Sequence, residues 1–228
     1  PLEGTQYSIE ELTAIVQEAE AARTYVMAHA YSPAAIERAV RCGVRSIEHG
    51  NLLDEASARL MAEAGTFLVP TLATYAAIAA NADRLGWSKA MKEKTDRVKH
   101  QGIEALRIAR AAGVKIALGT DLLGDMHASQ SDEFTLRLPA MPADEIVWSA
   151  TAVNAELLGQ SGRLGCIAPG AHTDLLVIDG DPLTDISLLQ QPERVPVVMK
   201  QGSYAHRDGT REVEHAVPEA PRDHDRQG

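Results

Sequence analysis

The chain has 228 residues and a formal charge of −10, from 22 basic and 32 acidic side chains; 45% of residues are hydrophobic and 4% aromatic. The acidic balance argues against a nucleic-acid or anionic-membrane surface, and no apolar run approaches the roughly 20 residues that span a bilayer. Two cysteines, Cys42 and Cys166, provide neither a zinc knuckle nor a disulfide framework, so the expectation is a cytoplasmic protein with no nucleic-acid or membrane partner.

The chain opens on Pro1 rather than Met, and its start is expected to be internal to a longer protein. Ser8 with Glu11 three residues on is a capping box. The helix it starts carries Leu12, Ile15, Val16 and Ala19 on one face and should reach residue 22. A strand over 25–30 follows, and Ser32-Pro33 opens a helix that ends before Gly43. Next come a strand over 44–49, a helix over 54–64 stopped by Gly65, and a strand over 66–70. A long helix over 88–112 leads past Gly113 into a strand over 114–119, and two more helices are expected over 132–138 and 142–158.

From Gly159 the composition turns rich in Gly and Pro. Strand candidates lie at 174–178 and 195–200, the second returning through Tyr204 by a Gln201-Gly202 turn. The charged stretch over 207–228 lacks periodicity and is expected to be disordered. The expected domains are thus 1–158, a partial βα barrel; 159–206, a small β-element; and 207–228, the tail.

Alternating helices and strands are the rhythm of a βα barrel or of a doubly wound sheet. No G-x-G-x-x-G or P-loop occurs, which puts the barrel first. Four βα units make half of an eight-stranded barrel, whose open edges would be a liability in water. The fold expectation is α/β: half of a TIM-type barrel whose first half lies upstream, with the small β-element attached.

Three apolar runs end in a metal-ligand type of residue: Tyr25-Val26-Met27-Ala28-His29, Ser46-Ile47-Glu48-His49 and Lys115-Ile116-Ala117-Leu118-Gly119-Thr120-Asp121. Barrels present chemistry at the carboxyl ends of strands. Two imidazoles and a carboxylate suit a hydrolytic metal centre; a core histidine or a turn aspartate is the plain alternative for each taken alone. Glu48 is expected to point away from the barrel axis by strand alternation. Tyr31 and His127 are candidates to hold substrate, Thr71 and Tyr75 to shape the pocket, and Met27 and Met61 to fill the core. His100 and His172 read as structural.

The motifs Ala28-His29-Ala30-Tyr31, Ser46-Ile47-Glu48-His49-Gly50, Leu68-Val69-Pro70-Thr71-Leu72, Leu118-Gly119-Thr120-Asp121 and Asp179-Gly180-Asp181-Pro182-Leu183 occur in this order. Together with Gly165-Cys166-Ile167-Ala168-Pro169-Gly170, they resemble the C-terminal half of amidohydrolase-superfamily enzymes of the imidazolonepropionase/prolidase-like group. The resemblance spans about residues 7–204 and is nearest to metal-dependent Xaa-Pro dipeptidases over 26–50 and 120–134.

The resemblance implies that His29 and His49 bind one metal of a centre holding two zinc ions. It gives Asp121 a contact to metal and the shuttling of a proton to the leaving nitrogen. The family's His-x-His pair and carboxylated lysine have no counterpart here, so those ligands are expected before Pro1 and the chain alone is expected to be inactive. The implied partner is a small-molecule substrate, a dipeptide or amide. A cyclic amidohydrolase or deaminase of the imidazolonepropionase type and a non-catalytic scaffold are the alternatives, and self-association into a homo-oligomer stays open.

Overall fold

Local signals set most element ends. A computed structural model describes residues 4–207, so nearly all of the expected tail lies outside the described residues. Helix α1 (Ile9–Ala21) starts at the capping box, the Ser8 side chain accepting from Glu11 N and the Glu11 carboxylate from Ser8 N. Strand β1 (Met27–Ala30) leads to α2 (Pro33–Arg41), capped by Ser32, and then to β2 (Ser46–His49). Helix α3 (Glu55–Ala64) is capped by Asp54 and stops at Gly65, which adopts φ 70°, a left-handed turn that costs glycine nothing.

Strand β3 (Phe67–Val69) is followed by α4 (Leu72–Asn81), a helix absent from the sequence expectation. Its residue Thr71 caps nothing with its side chain, and its Ala-rich apolar sequence offers no amphipathic stripe. The cap comes from elsewhere: the Glu133 carboxylate accepts from Ala73 N at 2.7 Å. Helix α5 (Lys89–Ala111) then runs to β4 (Lys115–Ile116), shorter than expected.

The four strands form a parallel sheet in the order β1-β2-β3-β4, an α/β arrangement as expected. The register sets Ala28, Ile47, Leu68 and Ile116 in one row. That face meets α2, α3 and α5, burying Ile36, Val40, Ala58, Met61, Leu106 and Ala109 in the main core. On the other face Phe67, Val69 and Ala117 pack with Leu157. Met61 is fully buried as expected, but Met27 is 57% exposed because it lies on this second face at the edge strand β1.

Beyond β4 come α6 (Asp132–Leu136), α7 (Ala143–Trp148) and α8 (Asn154–Leu157), the last two joined by a π-helical turn over Ser149–Val153. The Ser149 and Thr151 hydroxyls donate to the carbonyls of Ile146 and Val147 in the preceding turn, competing with the regular ladder. Strands β5 (Leu175–Val177), β6 (Val197–Lys200) and β7 (Ser203–Arg207) form an antiparallel sheet. No helix among the described residues is long and apolar enough to cross a membrane.

Candidate active site

The parallel register corrects one sequence expectation. His29 on β1 is level with Glu48 on β2, which is level with Val69 on β3. Residues level with one another share a face, so Glu48 points to the same side as His29 and both line one cavity. Alternation measured from His49 gives the wrong answer because His49 does not keep extended geometry: its φ is 76°. That left-handed turn swings the imidazole over the end of the sheet to join His29.

The same device recurs along the sheet end. Thr71 after β3 has φ 47° and Asp121 after β4 has φ 50°, conformations a non-glycine residue rarely adopts and a β-branched one least of all. Three left-handed residues at the carboxyl ends of adjacent strands converge on one place. Backbone strain of this kind collects at functional sites, held there by surrounding structure.

The resulting geometry is tight. His29 Nδ1 lies 2.6 Å from His49 Nε2, and Asp121 Oδ2 lies 3.9 Å from the same nitrogen. His49 Nδ1 is 2.8 Å from Thr71 Oγ1. The His49 ring is layered between His29 (centroids 4.8 Å apart) and Tyr31 (4.9 Å, interplanar 9°), with Tyr75 edge-on. Burial and His29 lower the His49 pKa to about 4 against the pull of Asp121, so the ring is neutral at pH 7. The Glu48 carboxyl, mostly buried and bonded by Ser46 Oγ at 2.6 Å, is raised by desolvation.

Two supports of this site carry no local sequence signal. Asn154 clamps the backbone of Leu118, its Oδ1 accepting from Leu118 N at 2.8 Å and its Nδ2 donating to Leu118 O at 3.0 Å. An amide side chain thereby replaces a neighbouring strand and fixes the run into Asp121. The second is the fully buried pair Glu133–Arg137, Oε1 to Nε 2.8 Å, whose carboxylate also caps α4. Helix α4 and its N-cap supply Tyr75 and Thr71. Both supports act over tens of residues, out of reach of motif reading.

His29, His49, Glu48, Thr71 and Asp121 line a cavity of ≈ 490 Å³ with Met27, Val69, Leu118 and Asn154. Tyr31 stands against it through His49, whereas His127 sits in a 3₁₀ turn (Gly124–Ser129) and is not among the lining residues. His100 lies on the exposed side of α5, its Nδ1 2.7 Å from Asp96 O, and is not among the lining residues.

Two imidazole nitrogens and a carboxylate oxygen suit a divalent cation in donor type. A neutral His49 whose other nitrogen meets Thr71 matches the way metal-binding histidines are oriented from behind. The set is partial: among the described residues no group of three or more His, Cys, Asp or Glu stands as a metal-holding cluster. The two ring nitrogens at 2.6 Å are also nearer than the ~3.3 Å between two nitrogens on one tetrahedral zinc. The residues thus match a divalent cation in donor type but do not, in this spacing, form a complete metal site among the described residues.

Comparison with known proteins places these features in context. The amidohydrolase family model matches residues 1–204. An ochratoxinase from Aspergillus niger is 34% identical over 200 residues, 86% of this chain and 41% of that protein. The structure of a prolidase complexed with N-methylphosphonate-L-proline is 51% identical with a TM-score of 0.87, over 91% of this chain and 51% of that one. An Xaa-Pro dipeptidase with methionine in its active site is 34% identical with a TM-score of 0.80, over 88% and 49%. The chain thus spans about half the length of these relatives.

Proposed function

This chain belongs to the amidohydrolase family, and we propose that the intact protein is a metal-dependent hydrolase of amide C–N bonds, with Xaa-Pro dipeptides as substrates. The observation that carries this reading is the convergence of His29, His49 and Asp121 at the carboxyl ends of parallel strands. The 51% identity to a prolidase over 91% of the chain supports the substrate. In this reading β1 to β4 are strands five to eight of an eight-stranded barrel, residues 1–158 belong to that barrel and 159–206 to a small β-element.

His29, His49 and Asp121 would contribute to holding divalent metal, zinc by family resemblance, which when bound supplies Lewis-acid activation of water and carbonyl. His49 stays neutral and is kept in place by its ring neighbours and Thr71. Asp121, 46% exposed at the cavity mouth, takes a proton from the attacking water at Oδ2 and passes it to the amide nitrogen. Proline leaves as a secondary amine, so that protonation is required for C–N cleavage. Met27, Val69 and Leu118 give the cavity apolar walls suited to a compact side chain.

The test is hydrolysis by the intact protein of a panel of Xaa-Pro dipeptides, an ochratoxin and imidazolonepropionate. Preferred cleavage of Xaa-Pro supports the proposal, and no cleavage of any Xaa-Pro peptide refutes it. Ochratoxin hydrolysis is the second reading, favoured by the Aspergillus niger relative.

A further inference from the structure

Tyr75 meets the His49 ring edge-on, and its hydroxyl is tied into the site. The Tyr75 hydroxyl donates to Tyr31 Oη at 3.1 Å. Tyr75 is 9% exposed and fixed on the first turns of α4. That helix start is doubly held, by the Glu133 carboxylate on Ala73 N and by Thr71 meeting His49. The Tyr31 ring has little freedom either, lying 4.9 Å above His49 and within 9° of its plane.

A phenol hydroxyl has one proton to give and lone pairs to accept with. Two facing phenols alone could exchange roles, each donating in turn. Burial breaks the tie: Tyr75, 9% exposed, has the proton with less access to any other acceptor, whereas the half-buried Tyr31 can turn its own elsewhere, so Tyr75 is the donor. With Tyr75 donating, Tyr31 is the acceptor and its own proton is left for a third group. That hydroxyl belongs to a ring stacked on His49, which itself lines the cavity.

We propose that Tyr75 is a positioning residue: by donating to Tyr31 it directs the Tyr31 hydroxyl proton onto an oxygen of the bound substrate. The inference rests on the hydrolase reading above and adds a residue that reading does not use. A donor already aimed before substrate binds loses no freedom in finding its acceptor, which is how a positioned hydrogen bond helps hold substrate in a reactive pose.

The test is a double-mutant cycle in the intact protein with Tyr31→Phe, Tyr75→Phe and the pair, assayed on an Xaa-Pro dipeptide. Tyr75→Phe should lower kcat/KM about tenfold, the order of one hydrogen bond, and should have no further effect once Tyr31 is Phe. An undiminished effect of Tyr75→Phe in the Tyr31→Phe background would mean a merely structural role and overturns the proposal. So would wild-type activity of Tyr75→Phe.

A readout without turnover separates this from the function itself. With ¹³Cζ-labelled tyrosine, Tyr75→Phe should move the Tyr31 resonance at fixed neutral pH, and an unmoved resonance overturns the link. If the wild type cleaves no Xaa-Pro peptide, the proposed function fails, while the resonance comparison still decides the Tyr75–Tyr31 bond.

Discussion

Breaking the Glu133–Arg137 pair tests whether a buried charge far from the cavity organises the site. Neither side chain has exposed surface. Glu133 accepts from Arg137 Nε at 2.8 Å and from Ala73 N at 2.7 Å; Arg137 Nη1 donates to Ser149 Oγ at 3.2 Å, and its Nη2 finds no partner among the described residues. Burial lowers the Arg137 pKa while Glu133 pulls it back up, so the attraction to its partner offsets the cost of burying the guanidinium charge. Arg137→Met strands the carboxylate and Glu133→Leu strands the guanidinium; each should cost about 3–5 kcal/mol. The double variant buries no charge and loses chiefly the cap on Ala73 N, about 1 kcal/mol. Urea denaturation of the intact protein followed by circular dichroism reads the cycle. With a slope of about 2 kcal/mol per molar urea, each single variant should shift the midpoint down by about 1.5–2.5 M and the double by well under 1 M. A double variant as unstable as the two singles added together would refute the reasoning.

Other expectations are narrower. Asp121→Asn should lower kcat by about 10²–10⁴-fold, the usual contribution of a positioned acid–base group, while thermal denaturation stays close to wild type because Asp121 is half exposed. Asn154→Ala removes both bonds to Leu118 and should release the strand leading to Asp121; faster amide exchange at Leu118 to Asp121 is the measurement, and unchanged protection counts against the clamp. Asp54→Ala should cost about 1 kcal/mol in urea unfolding, as for a lost helix cap. Hydrogen bonds from Ser57 hold the Asp54 carboxyl below its ordinary value. That contribution is complete above the unfolded aspartate range and disappears as pH falls through the lower folded value; the acid limb of the stability profile should be shallower in the variant.

Where hydrogen bonds close within three or four residues, the amino-acid order alone determined structure. Ser8 with Glu11, Ser32 before Pro33, and Asp54 with Gly65 mark helix ends that the fold keeps. The apolar runs ending in His29, His49 and Asp121 likewise became or led out of parallel strands, because a buried strand is recognisable by its composition. Helix α4 was hidden because its cap, Glu133, lies 60 residues away. The side chosen by Glu48 was hidden because His49 leaves the extended region, and alternation predicts faces only while a strand stays extended. Asn154 on Leu118, Thr71 on His49 and Tyr75 on Tyr31 join segments 36, 22 and 44 residues apart. The sequence by itself thus named the chemical groups and the strands that carry them. Only tertiary structure decided their orientation, since a side chain's direction is fixed by whatever distant group meets its hydrogen-bonding atoms.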